Sequence, residues 1–229
     1  MRRLVPCSKR ILARLARRTE GLALTEFAFI APILMVLGFS GLELAHFAVV
    51  NMQLSQAAMH IADNASRIGE RDNLSSQRIF ENDVNDLFIG VNIQAGDRLD
   101  LFENGRVILS SLEQNPDGGQ WIHWQRCMGK LERQSAYGPE GKGETGTGFA
   151  GMGSGASLIE APENDAVMYV EIFYTYQPVV GNLFSTGFTQ DLNLSAEAAF
   201  NVRGTRDLSQ IYTLPVPGTP ATCDKFEGA

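Results

Sequence analysis

A glycine and a carboxylate at the start of a long apolar run are the residues of this chain most suited to chemistry. Gly21 follows a basic stretch, and Glu26 lies just inside the apolar segment that begins at Leu22. An ionisable group within a membrane span is costly unless it is paired, so we expect Glu26 to meet a specific positive charge. Cutting after Gly21 supplies such a charge, because Leu22 then carries a free amine. The pattern predicts that Glu26 neutralises the amine of a neighbouring chain inside a helix bundle.

Basic and acidic residues are unevenly distributed along the chain. The formal net charge of the 229 residues is −7, yet the first twenty carry seven basic residues against Glu20 alone. That stretch therefore has a charge of +6, which leaves −13 for the remainder. By the positive-inside tendency, this asymmetry places the N-terminus in the cytoplasm and the rest across the membrane. A basic amphipathic helix lying on anionic lipid is an alternative that is compatible with this topology. The acidic remainder argues against nucleic-acid binding.

One apolar segment is long enough to cross a bilayer. The 16 residues from Phe27 to Leu42 carry no charge, and the longer segment from Leu22 to Val50 covers the distance. A spanning helix requires roughly 20 residues. Glu43 and His46, one helical turn apart near the far interface, are expected to form an ion pair. A secretory signal peptide is the competing interpretation, because Gly38-Phe39-Ser40 resembles a small-x-small cleavage site.

Small residues and a proline distinguish this predicted helix. Pro32 lacks a backbone donor, which predicts a kink or a loosened turn. Gly38, Gly41, Ala45 and Ala48 recur at spacings of three, four and three, so they form a stripe along one helix face. Such stripes let helix backbones approach closely in a membrane, which favours a packing role. Apolar residues at helical spacing extend the helix to about residue 68.

The segment from Glu20 to Ala65 resembles the TadE-like family, the small pilin-like proteins of tight adherence pili. The resemblance is carried by Gly21, Glu26-Phe27-Ala28, Pro32 and the alanine-rich helix that follows. Weaker likeness returns at Trp124-Gln125-Arg126-Cys127, from Tyr174 to Pro178, and at Arg203.

This resemblance implies a minor pilin or pseudopilin that helps to assemble a pilus of major Flp subunits. A prepilin peptidase is then expected to remove the leader, residues 1–21, by cutting between Gly21 and Leu22. Further implied partners are other TadE-like minor pilins, the Flp-type major pilin, the inner-membrane assembly platform and the lipid bilayer. The residues expected to serve subunit assembly are Glu26, Phe27, Pro32, Gly38, Gly41, Ala45 and Ala48.

Residues 69–229 predict a periplasmic α+β domain. Asn73 or Ser75 is a candidate cap for a second helix that runs through Ile79, Val84, Leu87 and Phe88, and the pattern changes after Gly90. The strand candidates that follow are 98–102 and 107–112, joined by an Asn104-Gly105 hairpin turn, then 120–127, 167–176 and 192–203. Together they predict an antiparallel sheet of about four or five strands packed on helices.

The glycine-rich segment 138–161 is interpreted as a mobile excursion between two strands. It contains Gly146-Thr147-Gly148-Phe149-Ala150-Gly151, which matches a dinucleotide-binding fingerprint. The surrounding pattern is not βαβ, so this match carries little weight, and contact with another subunit is the functional alternative.

Constellations typical of catalysis are missing from the sequence. His46, His60 and His123 have no metal-ligand spacing, and the acidic residues are scattered. We therefore predict no enzymatic activity, no cofactor and no metal. A set of aromatic residues is suited to a ligand groove, although core packing or a protein-binding sheet surface is favoured. The set is Trp121, Trp124, Tyr169, Phe173, Tyr174 and Tyr176.

Cys127 and Cys223 are predicted to form a disulfide. If Cys7 leaves with the leader, these two cysteines remain in an oxidising compartment, where an even count favours pairing. The bond would fix a proline-rich tail to the sheet. Free or intermolecularly paired thiols are the alternative.

The sequence thus predicts a single-pass inner-membrane protein with a cytoplasmic N-terminus, either incorporated into the pilus or retained at its base. Residues 22–68 form one transmembrane and amphipathic helix, and residues 69–229 form the periplasmic domain. Two alternatives come from other classes. One is a membrane-anchored enzyme or ligand-binding domain, and the other is an ordinary signal-anchored periplasmic protein.

Overall fold

A computed structural model describes residues 21–69, 76–96, 99–180, 192–213 and 219–227. The helices are α1 (Leu22–Ala65), α2 (Glu81–Ala95) and the single turn α3 (Leu101–Asn104). The strands are β1 (Gly105–Gln114), β2 (Gln120–Met128), β3 (Ala166–Thr175) and β4 (Asn193–Asn201). A 3-10 turn covers Gly155–Ser157. This order of a long apolar helix followed by an antiparallel sheet packed on helices confirms the predicted α+β class.

The chain divides into two compact units. The first contains Met1–His46 with Pro178–Ser185, and the second contains Phe47–Gln177 with Thr186–Ala229. The division therefore lies inside α1, whereas the sequence placed a boundary after residue 68. The reason is that the second half of α1 contributes to the core of the second unit.

The sheet is antiparallel throughout, with the strand order β2-β1-β3-β4. β1 and β3 lie in its centre and are buried along nearly their whole length. Alternation along β1 separates two cores, because Val107 and Leu109 face one side while Leu112 faces the other. The larger core packs the sheet against helical residues such as Leu54 and Phe88.

The start of α2 differs from the prediction. The helix begins after Phe80, whose N–H donates to the Asp83 carboxylate at 2.9 Å. The preceding residues are extended instead of helical, because Gln77 bridges to Arg206 and Phe80 bridges to Tyr212. The candidate caps at positions 73 and 75 lie outside the described residues. The helix also continues through Gly90 and ends before Gly96, so the predicted change of pattern at Gly90 is wrong.

The predicted hairpin at Asn104-Gly105 is also wrong. Residues 101–104 form α3, and Gly105 starts β1 in an extended conformation with φ −145. A Cβ at Gly105 would lie 2.7 Å from the carbonyl oxygens of both Leu101 and Phe173, so close packing requires glycine there. Position 98 lies outside the described residues. The first hairpin of the sheet instead turns at residues 115–119, where Asn115 N–H donates to Gly119 O at 2.8 Å.

Candidate functional site

The first half of α1 presents apolar side chains that are exposed in the described part of the chain. We call residues 23–46 the exposed segment. Phe29 is 79% exposed and Phe27 is 65% exposed, and Ile33, Met35 and Leu44 are also more than half exposed. One helix, Ala23–Ala65, is long and apolar enough to span a membrane, and none of its most apolar window is buried. An apolar helix of this kind is stable when lipid or other apolar helices surround it. The structure is thus consistent with a single-pass membrane protein.

The predicted cleavage site lies at the beginning of α1. Gly21 directly precedes the helix, and Leu22 is its first residue, although the side chain of Leu22 lies outside the described set. A Cβ at Gly21 would meet no atom within 4 Å. Glu26 lies about one turn into the helix and is exposed, with Phe27 beside it. A carboxylate is therefore displayed on an apolar helix surface, as the paired-charge hypothesis requires.

The predicted stripe of small residues is open in the structure. A Cβ built at Gly38 or Gly41 would meet no atom within 4 Å, and Ala45 is exposed. Ala48 belongs to the second unit and is exposed as well. Pro32 lies inside α1, and the helix continues on both sides of it. The stripe therefore has room for the backbone of another helix, whereas the predicted kink stays a prediction.

The polar residues near the end of the exposed segment have a contact that the sequence did not reveal. The Glu43 carboxylate accepts a hydrogen bond of 2.8 Å from the N–H of Val180. Both residues belong to the first unit. Glu43 thus binds the backbone after β3, a partner that no helical spacing predicts.

The C-terminal tail, residues 219–227, is joined to β2 by a disulfide. Cys127 and Cys223 are bonded in the structure, as predicted, with 96 residues of sequence separation. Backbone bonds add to this connection, since Cys127 N–H donates to Ala221 O at 2.7 Å and Gly129 N–H donates to Glu227 O at 2.9 Å. The tail therefore lies along the outer edge of β2.

Arg106 is the second anchor of the tail, and sequence reasoning missed it. Its side chain is fully buried. The guanidinium donates to Lys225 O at 2.9 Å and to Cys223 O at 2.8 Å, and it lies 4.2 Å from the ring centre of Phe226. Burial lowers the pKa of Arg106, so these carbonyl contacts offset the cost of a desolvated charge. The only available signal was an arginine directly before the apolar residues Val107, Ile108 and Leu109.

Two ion pairs connect helices to the sheet region at residues where the weaker likeness was noted. Arg126 Nε donates to the Glu81 carboxylate at 2.9 Å, and the contact is nearly buried. Arg203 reaches Asp63 on α1 at 3.1 Å. These arginines, together with the edge-to-face contact between Tyr176 and Phe47, join the second half of α1 and α2 to the strands. Their observed roles are structural.

The aromatic residues and His123 do not converge on one groove. Trp124, Tyr174 and Tyr176 are buried in the larger core, whereas Tyr169 belongs to the smaller core on the opposite side of the sheet. His123 lies 2.8 Å from the Glu113 carboxylate. Within the described part of the chain, no group of three metal-ligating side chains is present.

The glycine-rich segment 138–161 is packed against the sheet instead of projecting from it. Asn115 donates to the carbonyl oxygens of Gly143 and Gly146 at 2.7 Å each. The N–H of Gly146, within the fingerprint-like sequence, donates to the Asp117 carboxylate at 2.7 Å. Met152 and Ala161 complete the smaller core. The Asp117 carboxylate thus already accepts from the Gly146 N–H, a donor that a bound phosphate would need. This argues against the nucleotide interpretation.

Comparison with known proteins identifies one family. Residues 21–67 match the model of the family described as TadE-like protein. This match confirms the resemblance seen in the sequence, and it contains Glu26, Pro32 and the small-residue stripe. The weaker likenesses after residue 120 lie outside the matched residues. No curated protein and no solved structure matches the chain.

Proposed function

We propose that this TadE-like protein is a minor pilin or pseudopilin of a tight adherence pilus. The family match supports a pilus-associated protein of the tight adherence system in general. The observation that carries the finer proposal is the exposed segment, in which apolar side chains surround one carboxylate and an open stripe of small residues. In this proposal the protein acts by subunit packing and not by catalysis.

The proposed pathway begins with insertion in the inner membrane, the N-terminus in the cytoplasm and the second unit in the periplasm. A prepilin peptidase then cuts between Gly21 and Leu22 and leaves a free amine. Glu26 pairs with the amine of a neighbouring subunit, which removes the cost of a bare charge in lipid. The stripe at Gly38, Gly41 and Ala45 lets a partner helix approach closely. The partners are other TadE-like minor pilins, the Flp-type major pilin and the assembly platform.

N-terminal sequencing of the membrane-extracted protein tests this proposal. We expect Leu22 as the first residue in the wild type and full-length protein for Gly21→Val, because a branched side chain obstructs access to a protease cleft. Since a Cβ at Gly21 meets no atom of the described residues within 4 Å, the substitution leaves their packing undisturbed. Gly41→Val is the matched control and should be trimmed normally. Equal trimming of Gly21→Val and the wild type would overturn the assigned cleavage site.

A further inference from the structure

The chain covers one edge of its sheet. On β2, Ile122 N–H donates to Lys142 O and Ile122 O accepts from Gly141 N–H, both at 2.8 Å. Farther along the same edge, the tail bonds to Cys127 and Gly129. The glycine-rich segment and the disulfide-linked tail together occupy the outward-facing backbone groups of β2 at these positions. Such protection prevents other chains from pairing with an edge strand.

Among the described residues, nothing pairs with the opposite edge, formed by β4. Tyr176 N–H donates to Leu192 O at 2.9 Å, and Val202 N–H donates to Ala166 O at 3.0 Å. Because bonding alternates in an antiparallel pair, the even-numbered residues between these points bond to β3. The outward-facing backbone groups belong to Asn193, Ser195, Glu197, Ala199 and Asn201. In the described ranges of the chain, the outward-facing N–H and C=O groups of these five residues form no hydrogen bond with other backbone groups.

This edge also lacks the usual features that prevent strand addition. β4 contains no proline, lysine or arginine, and its register with β3 has no bulge. Its single charged residue, Glu197, accepts hydrogen bonds from the hydroxyls of Tyr169 at 2.6 Å and Tyr137 at 3.0 Å. The carboxylate is thus held over the sheet by neighbouring side chains. Nine consecutive residues therefore present a strand-long template of about 30 Å.

We propose that β4 accepts an extended segment of a partner pilus subunit as a fifth strand. Alternate side chains of that segment would be apolar and would continue the core surface of Leu194 and Ala196, whereas the residue opposite Glu197 would be lysine or arginine. A basic partner is favoured over a second copy, because the chain after residue 20 carries a net charge of −13. The inference rests on the proposed function only for the kind of protein that supplies the strand.

Synthetic peptides test the edge directly on the full chain in detergent micelles. The probe is Thr-Val-Thr-Val-Lys-Val-Thr-Val-Thr, which matches the length of β4 and places lysine on the face of Glu197. Amide hydrogen exchange is followed residue by residue. In the free protein we expect fast exchange at Ser195, Glu197 and Ala199 and slow exchange at the even positions between them. Bound peptide should slow the odd positions by about ten-fold or more and leave the even positions unchanged.

Three control peptides separate strand addition from nonspecific binding. N-methylation of the third, fifth and seventh peptide residues removes the donors that face β4 and should abolish binding. N-methylation of the fourth and sixth residues should not. Glutamate in place of the central lysine should weaken binding by about five-fold, because like charges then face each other. Equal binding by both N-methylated peptides, or no odd-position protection by the probe, would overturn the proposal.

The free protein offers a further way to refute the inference. Slow exchange at the odd positions at every concentration would mean that the chain covers its own edge. Slow exchange that develops as concentration rises would mean that a second copy occupies it. Either result contradicts a partner subunit as the occupant.

A paired substitution extends the test to cells. Ser195→Pro removes an outward N–H without deleting a bond to β3, so β4 should persist while peptide binding is lost. Ser195→Thr is the matched control and should bind normally. Ser195→Pro should also reduce piliation at least about five-fold with trimming at Gly21 intact. Normal piliation by Ser195→Pro refutes the inference alone, whereas failure of wild-type trimming refutes the proposed function and leaves the peptide result standing.

Discussion

The two halves of α1 are equally helical but differ in what covers their apolar side chains. In the exposed segment, residues 23–46, large side chains such as Leu37 are more than half exposed. In the second half, which we call the core segment, residues 50–65, Leu54 and Ile61 are completely buried. The two halves of α1 are therefore suited to two different environments. The core segment packs against the rest of its own unit, whereas the exposed segment is suited to lipid or to other apolar helices.

This difference shows where function and stability lie. The core segment is joined to the rest of its unit by residues distant in sequence, such as Arg203 on Asp63. The exposed segment carries Glu26 and the small-residue stripe, which the described chain leaves open. Substitutions of buried residues in the core segment should therefore change folding, whereas those in the exposed segment should change assembly.

The largest expected effect is on the free energy of unfolding and comes from loss of the disulfide. This loss should destabilise the unit that contains the core segment and leave the exposed segment unchanged. Replacing Cys127 and Cys223 by serine releases a loop of 96 residues in sequence separation. The chain-entropy model gives a loss of about 4 kcal/mol in the free energy of unfolding. Denaturant titration of the full chain in micelles measures it, and Cys7→Ser is the control. Hydrogen exchange of residues 23–46 should stay unchanged. A loss below about 1 kcal/mol would contradict the role of the tail as a staple.

A matched pair of leucines tests the comparison within α1 itself. Leu54→Ala should lower the free energy of unfolding by about 3 kcal/mol, because it empties a fully buried site. Leu37→Ala should change it by less than about 0.5 kcal/mol, because Leu37 is 64% exposed and belongs to neither core of the described residues. Thermal and denaturant unfolding in the same micelles provide both values. Equal losses would show that the two halves of α1 are not energetically distinct.

A smaller, pH-dependent change in the free energy of unfolding is expected from Glu171 in the sheet. Glu171 pairs across strands with Glu197, and burial is the main cause that raises the pKa of Glu171. A raised pKa in the folded state means that folding favours the protonated form, so stability falls as pH rises from the ordinary glutamate range through the raised pKa. Glu171→Gln should therefore gain up to about 1 kcal/mol near neutral pH and nothing near pH 4. The exposed Glu163→Gln is the control. If the free energy of unfolding depended on pH in the same way for Glu171→Gln and the wild type, the proposed effect of Glu171 on stability would be refuted.

The sequence predicted what depends on local pattern. The alternation in 192–203 and the β-branched run in 167–176 gave β4 and β3, and helical spacing gave α1. Asn104-Gly105 failed because the pair has the composition of a hairpin turn, yet Gly105 is required by close contacts with Leu101 and Phe173. Those contacts come from residues brought together by folding, so no local pattern contains them.

The same limit applies to the candidate sites. Gly21, Glu26 and the stripe could be named from the sequence because spacing along one helix defines them, and their roles stay predictions. The disulfide was predictable from a cysteine count and the compartment. Arg106 was not, since its partners lie about 120 positions away in the tail. The edge position of β4 was not predictable either, because it depends on the order of the strands in the folded sheet.

The central claim is that the exposed segment exists for pairing with other subunits through Glu26. In a deletion strain, the most direct measurement compares pili made by Glu26→Gln and by Glu43→Gln, whose amide oxygen still accepts from Val180. We expect Glu26→Gln to insert and to begin at Leu22 after trimming, yet to lower piliation by about ten-fold or more, because the charge required by a buried amine is gone. A strain with Glu43→Gln should make pili in an amount within about two-fold of the wild type. Normal piliation by a correctly trimmed Glu26→Gln would contradict the claim.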